Sequence, residues 1–225
     1  MNATDVLQTE PAAMHSGSAA GDTAPCARAG SSYMTIRHLG MAPSVHPDAY
    51  VAPTAVLSGQ VSVGAGSCIM HGAVLAAEGG PVQVGAGCVI METAVLRGTA
   101  RHRLRIGDRV LAGPHAQLTG CTLADEVFLA GGAMVLPGAH LGRAASVAAG
   151  AVVHLGAIVA PAARIPAGWV AVGDPACCYP PGQAEPIAAG LAEAAGASSR
   201  SCSASTTPAA AATSCGPRSP ATPRR

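Results

Sequence analysis

From Val45 onward an aliphatic side chain returns at every sixth residue: Val45, Val51, Leu57, Val63, Ile69 and Leu75. The count restarts at Val84, Ile90 and Leu96, and again at Ile106, Ala112 and Leu118. It then runs unbroken through Leu123, Leu129, Val135, Leu141, Val147, Val153, Val159 and Ile165. An α-helix buries residues at a period of 3.6 and a half-buried strand at a period of two, so neither alone produces this return. A period of six implies a short strand plus a turn, repeated and stacked.

The rest of each hexad agrees. The residue after the aliphatic is often glycine (Gly64, Gly85, Gly107, Gly142), and the fifth is small or β-branched (Ala55, Val61, Ala73, Ala94, Ala133, Ala139, Ala151). Three such hexads close a triangular coil with the aliphatic pointing into the prism. The expected fold class is therefore all-β: a single-stranded left-handed parallel β-helix of hexapeptide repeats. Prolines at 53, 81, 114, 137, 161 and 166 would interrupt any long helix, but the corners of a prism tolerate them. The composition fits a core of many small side chains, being 49% hydrophobic with only 2% aromatic residues.

Three segments are expected. Residues 1–33 are rich in Ala, Gly, Ser, Thr and Pro without periodicity and read as a disordered extension. The β-helix should span 34–178. Residues 179–225 form a low-complexity tail, expected to be disordered save for a short helix near 186–195.

Two breaks in the count mark loops that leave the prism. One falls near Ala77, Glu78 and Gly79, the other around Arg101, His102 and Arg103, and being on successive coils they should meet. Counting through them, Leu75, Leu96 and Leu118 stack. Ala76, Arg97 and Thr119 then make one surface column, and His71, Glu92 and Pro114 a second, with His115 beside it and Gln117 facing the other way.

Net charge is +1 and every basic residue is arginine. No basic face interleaved with aromatics is visible, so nucleic acid is not an expected partner. No run of eighteen apolar residues and no secretory pattern occurs, so membrane association is not expected and a cytoplasmic location is. Cys68, Cys88 and Cys121 sit singly within apolar repeats and read as buried free thiols.

The segments Ile106-Gly107-Asp108, Leu118-Thr119-Gly120-Cys121-Thr122 and Gly168-Trp169-Val170-Ala171-Val172-Gly173-Asp174-Pro175-Ala176 resemble the gamma-class carbonic anhydrases, over about residues 38–178. The resemblance implies a homotrimer with zinc held between subunits on three histidines. Laid on this chain, those histidines fall on Arg97, Pro114 and Thr119, none of them a ready zinc ligand. The family's Arg-Gly-Asp segment falls on Ala76, Ala77 and Glu78, and its Gln-Asp step on Met91 and Glu92. The resemblance therefore implies a divergent member with no metal, no other cofactor and no ordinary hydrase activity.

The residues left in the implied inter-subunit groove suggest a site for a small anion. Arg97 offers a guanidinium fork, His71, Glu78 and Thr119 line the site, and His115 with Glu92 is the acid–base candidate. A shell of His71, Glu92 and His115 around some other metal is chemically allowed but has no motif behind it. An inter-subunit Arg97–Glu92 ion pair, with His115 capping a corner, is the purely structural reading of the same positions. The competing functions are a non-catalytic trimeric scaffold and a coenzyme A-dependent acyltransferase.

Overall fold

The computed structural model describes Val6–Leu7, residues 33–183, and residues 185, 187–189 and 192. The repeat folds as expected, into a left-handed parallel β-helix with three flat faces. The first face holds the strands Met34–Ile36, Val56–Ser58, Val74–Glu78, Val95–Thr99, Gln117–Thr119, Met134–Val135, Val152–Val153 and Val170–Val172. The second runs from Tyr50–Val51 to Arg164–Ile165 and the third from Ser44–Val45 to Ile158–Val159, each as a seven-stranded sheet. Within all three, neighbouring coils pair in parallel.

The first face is closed at both ends by antiparallel strands. Val6–Leu7 pairs with Met34–Ile36, and Cys177–Tyr179 pairs with Val170–Val172. Such caps occupy edges that would otherwise offer free ladder groups to another chain. The other residues expected to be disordered lie outside those described, apart from Tyr33 and a few from Tyr179 onward. Of these, 185, 187–189 and 192 are helical, where a short helix was expected.

The hexad aliphatics form the core. Leu57, Leu75, Leu96, Leu118, Val135 and Val153 stack in register behind the first face, each fully buried. The small fifth residues are equally buried, from Ala55 to Ala151, because the prism narrows there. Burial at about 25 cal/mol per Å2 of apolar area, repeated on every coil, gives cohesion without aromatic side chains.

Two kinds of glycine serve the turns. A Cβ on Gly85 would lie 2.5 Å from the carbonyl oxygen of Gly107, so the residue after the aliphatic is small because successive coils touch there. At the corner between the second and first faces the requirement is conformational: Gly72, Gly132, Gly150 and Gly168 all have φ between 64° and 71°. Thr93 and His115 occupy the same column, with φ of 56° and 59°. None of the six prolines named above lies within a strand.

The corner between the third and second faces carries a polar ladder. Asp125 Oδ1 accepts from the backbone N–H of Asp108, whose own Oδ1 accepts from that of Ala86. Beside it Glu126 accepts from Arg109 at 2.8 Å and from Arg143 at 3.0 and 3.1 Å. Those bonds from Arg143 and Arg109 hold the Glu126 carboxyl down at about 2.

One cysteine expectation is corrected. Cys88 and Cys121 are buried free thiols, and burial pushes both thiol pKa values up. Cys68 is disulfide-bonded instead. Its place in an apolar repeat made it look like its neighbours, since periodicity reports burial and not bonding.

Candidate functional site

The two inserted loops meet, as their places on successive coils require. They lengthen the strands Val74–Glu78 and Val95–Thr99, which pair along their whole length from Val74↔Val95 to Glu78↔Thr99. An isolated bridge joins Gly79 to Thr99. Contact is close enough that a Cβ on Gly98 would lie 2.4 Å from the Gly80 carbonyl oxygen. One coil further on, a Cβ on Gly120 would lie 2.5 Å from that of His102, so the second loop folds back over the face that follows.

This packing places Glu78 beside Arg97. The Nε of Arg97 stands 3.2 Å from Glu78 Oε1, and both side chains are about half exposed, at 47% and 54%. An ion pair so wet contributes roughly 0–1 kcal/mol to folding, so it orients the guanidinium more than it stabilises the coil. Arg97 therefore pairs with Glu78 within the chain. Register places Ala76 and Thr119 on either side of Arg97, as the count required.

The second group lies at the corner entering the first face. Backbone hydrogen bonds from Thr93 to His71, from His115 to Glu92 and from Gly132 to Pro114 set His71, Glu92 and Pro114 in one column. With coils about 4.8 Å apart, His71, Glu92 and His115 are spread over two coil steps. Each histidine is tied to a threonine of the preceding coil: His71 Nδ1 is 3.0 Å from Thr54 Oγ1, and His115 Nδ1 is 2.6 Å from Thr93 Oγ1. All four side chains are solvent-facing, which leaves the far edge of each ring open.

The structure thus brings the expected site residues together as two groups: Glu78, Arg97 and Thr119 on one edge of the first face, and His71, Glu92 and His115 on the other. His115 and Thr119 are four residue steps apart, about 13 Å at 3.3 Å per residue of extended chain. Among the described residues no cluster of three or more His, Cys, Asp and Glu is placed to hold a metal ion, so His71, Glu92 and His115 do not form a shell in the single chain. Of the remaining histidines, His46 accepts from the Asp48 N–H, and His154 buries an Nδ1 that has no hydrogen-bond partner.

Thr54 and Thr93 were missed by sequence reasoning. A signal existed for Thr93: its corner column is filled by glycine on most coils, so a threonine followed on the next coil by a histidine breaks the pattern.

The outward surfaces of the faces differ. On the second face Tyr50, Cys68, Val89, Leu111 and Phe128 follow one another in register, with Phe128 47% exposed, and the column ends on Ser146 and Arg164. On the third, the corresponding column is Ser44, Ser62, Gln83, Arg105, Thr122 and His140, ending on Ile158. Most of the second-face column is apolar and most of the third-face column polar, an asymmetry that a uniformly solvated prism would not need. Among the described residues, no helix is long and apolar enough to cross a membrane.

Comparison with known proteins agrees with this architecture. No protein-family model matches the sequence. The chain is 38% identical over 99 residues to gamma carbonic anhydrase 1, mitochondrial, of Arabidopsis thaliana, a match spanning 41% of this chain and 36% of the relative. It is 42% identical over 98 residues to gamma carbonic anhydrase 3, mitochondrial, of the same plant, spanning 40% and 38%. The matched stretch is thus well under half the length of either relative. Among solved structures, a Bacillus cereus protein described as a candidate acetyltransferase superposes with a TM-score of 0.56 at 22% identity, covering 71% of this chain and 90% of that one. That likeness is one of fold alone.

Proposed function

We propose that this chain, a partial sequence relative of the gamma carbonic anhydrases, binds a small anion in a groove between subunits of a homotrimer and does so without zinc. The observation that carries the reading is the Arg97–Glu78 pair at 3.2 Å. The resemblance puts a zinc-ligating histidine at Arg97, and zinc is held by Cys, His, Asp and Glu side chains. The two other ligand positions are Pro114 and Thr119. The fixed cation at this place is then the guanidinium itself. It needs no metal to attract an anion, and Glu78 holds its Nε side so that its terminal nitrogens are free to bind.

Assembly supplies the rest. Since the two groups lie on opposite edges of one face, a neighbouring subunit laid against that face brings its His71, Glu92 and His115 edge toward the Arg97 edge. The apolar column through Phe128 gives the chain a surface to bury in such an assembly. In the groove, His115 is the acid–base candidate, with Glu92 beside it and His71 and Thr119 as lining. A non-catalytic trimeric scaffold would use the same apolar surface without the groove. The proposed compartment is the cytoplasm. The mitochondrial names of the two relatives make subcellular fractionation its direct check.

The test is a calorimetric titration of the full-length protein with bicarbonate, beside its Arg97→Gln variant. Saturable binding that weakens at least tenfold in the variant supports the groove. Equal binding by both proteins, or none by either, removes the anion site and leaves the scaffold.

A further inference from the structure

The corner that carries His115 is built differently from its neighbours in the same column. Gly72, Gly132, Gly150 and Gly168 take the left-handed conformation at little cost, whereas Thr93 and His115 take it with side chains attached. For a residue with a Cβ that conformation costs about 1–2 kcal/mol. These two strained residues, on consecutive coils, are also the two that hydrogen-bond to each other, at 2.6 Å. Arg109 and Glu126 share this left-handed conformation and a cross-coil bond, so what singles out the Thr93–His115 pair is the direction of its hydrogen bond and not its strain.

The bond has a direction. The Thr93 hydroxyl has a single hydrogen, and the Glu92 carbonyl oxygen, which can only accept, stands 2.6 Å from Oγ1 to receive it. Toward His115 the Thr93 oxygen is left as an acceptor, so the ring must present Nδ1–H. We infer that Thr93 is a positioning residue that holds neutral His115 in the Nδ1–H tautomer, leaving the Nε2 lone pair as the proton-accepting atom of the site. This rests on the reading of His115 as the acid–base group for its use, but not for its geometry. In a proton transfer Nε2 takes the proton of a bound acid, giving an imidazolium that keeps Nδ1–H on Thr93. The reverse step returns the same proton from Nε2. The Thr54–His71 pair differs: Thr54 Oγ1 accepts from the Gly72 N–H at 3.1 Å, which leaves its hydroxyl hydrogen for the ring and does not fix the tautomer of His71.

The experiment is long-range proton–nitrogen correlation of the histidine rings in 15N-labelled full-length protein, at a pH where the imidazoles are neutral and with no ligand added. His115→Gln assigns the signal. Wild-type His115 should show a protonated Nδ1 and a bare Nε2, against the Nε2–H form that dominates free histidine. Thr93→Val should move His115 toward Nε2–H with the amide spectrum of the fold retained, and Thr93→Ser should restore Nδ1–H. A wild-type His115 in the Nε2–H form, or a Thr93→Val spectrum still showing Nδ1–H, overturns the inference. Because no ligand is present, failure of bicarbonate binding would leave this result untouched, and failure here would leave the anion site standing.

Discussion

At the residue scale the chain separates charges that shape the prism from charges that are available to a ligand. Glu126 belongs to the first kind. Its carboxyl is held at about 2 by Arg143 and Arg109, against an ordinary value of 4.5. A carboxylate with a depressed folded-state pKa gives stability that is present above the unfolded value and lost as pH falls through the folded one. The wild-type melting temperature should therefore fall between about pH 5 and pH 2 more steeply than that of Glu126→Gln, and added salt should shrink the difference. Parallel melting curves of the two proteins with pH would check this, and equal slopes would mean that the Arg–Glu–Arg contact is not formed in solution. Glu78 was legible as a site candidate because it occurs at a break in a strict repeat, and Arg97 because its column and the resemblance point to it. Their pairing with each other was not, since it depends on how closely two loops approach.

At the scale of elements, the repeat made nearly every core strand legible, because each coil uses the same solution and an error in one would throw the next out of register. The inserted loops could be located but not shaped by counting. Their shape follows from the backbone contact at Gly98, where a methyl group would lie 2.4 Å from the Gly80 carbonyl and 2.7 Å from that of Pro81. Gly98→Ala should cost about 1–3 kcal/mol through overpacking and should loosen the Glu78 loop. Gly150→Ala is the comparison: its methyl group would meet nothing within 4 Å, and only its φ of 64° opposes the change. Chemical denaturation of both should show the larger loss at Gly98. A larger loss at Gly150 would mean that the loops are not packed as described. The threonine partners at the corner escaped sequence reasoning for a related reason: a period announces which residues stack but not which side chains reach across to the preceding coil.

For the whole molecule, the architecture is shared with proteins of different activities, so the function has to be argued from the site and not from the prism. The similarity to the gamma carbonic anhydrases covers two-fifths of this chain, and it is most informative where the residues differ. A histidine triad would have made this a zinc site. On the proposed reading Arg97, which with Pro114 and Thr119 stands where the resemblance puts the zinc ligands, supplies a cation of the chain's own in place of the metal. Zinc lowers the pKa of bound water to about 7 and so makes the nucleophile of a hydrase, which a guanidinium does not do. The most direct test of this account is elemental analysis of untagged full-length protein, with its rate of carbon dioxide hydration measured on the same sample. The account predicts far less than one zinc per chain and a rate no higher than that of buffer. Near-stoichiometric zinc together with hydration that a chelator abolishes would contradict it.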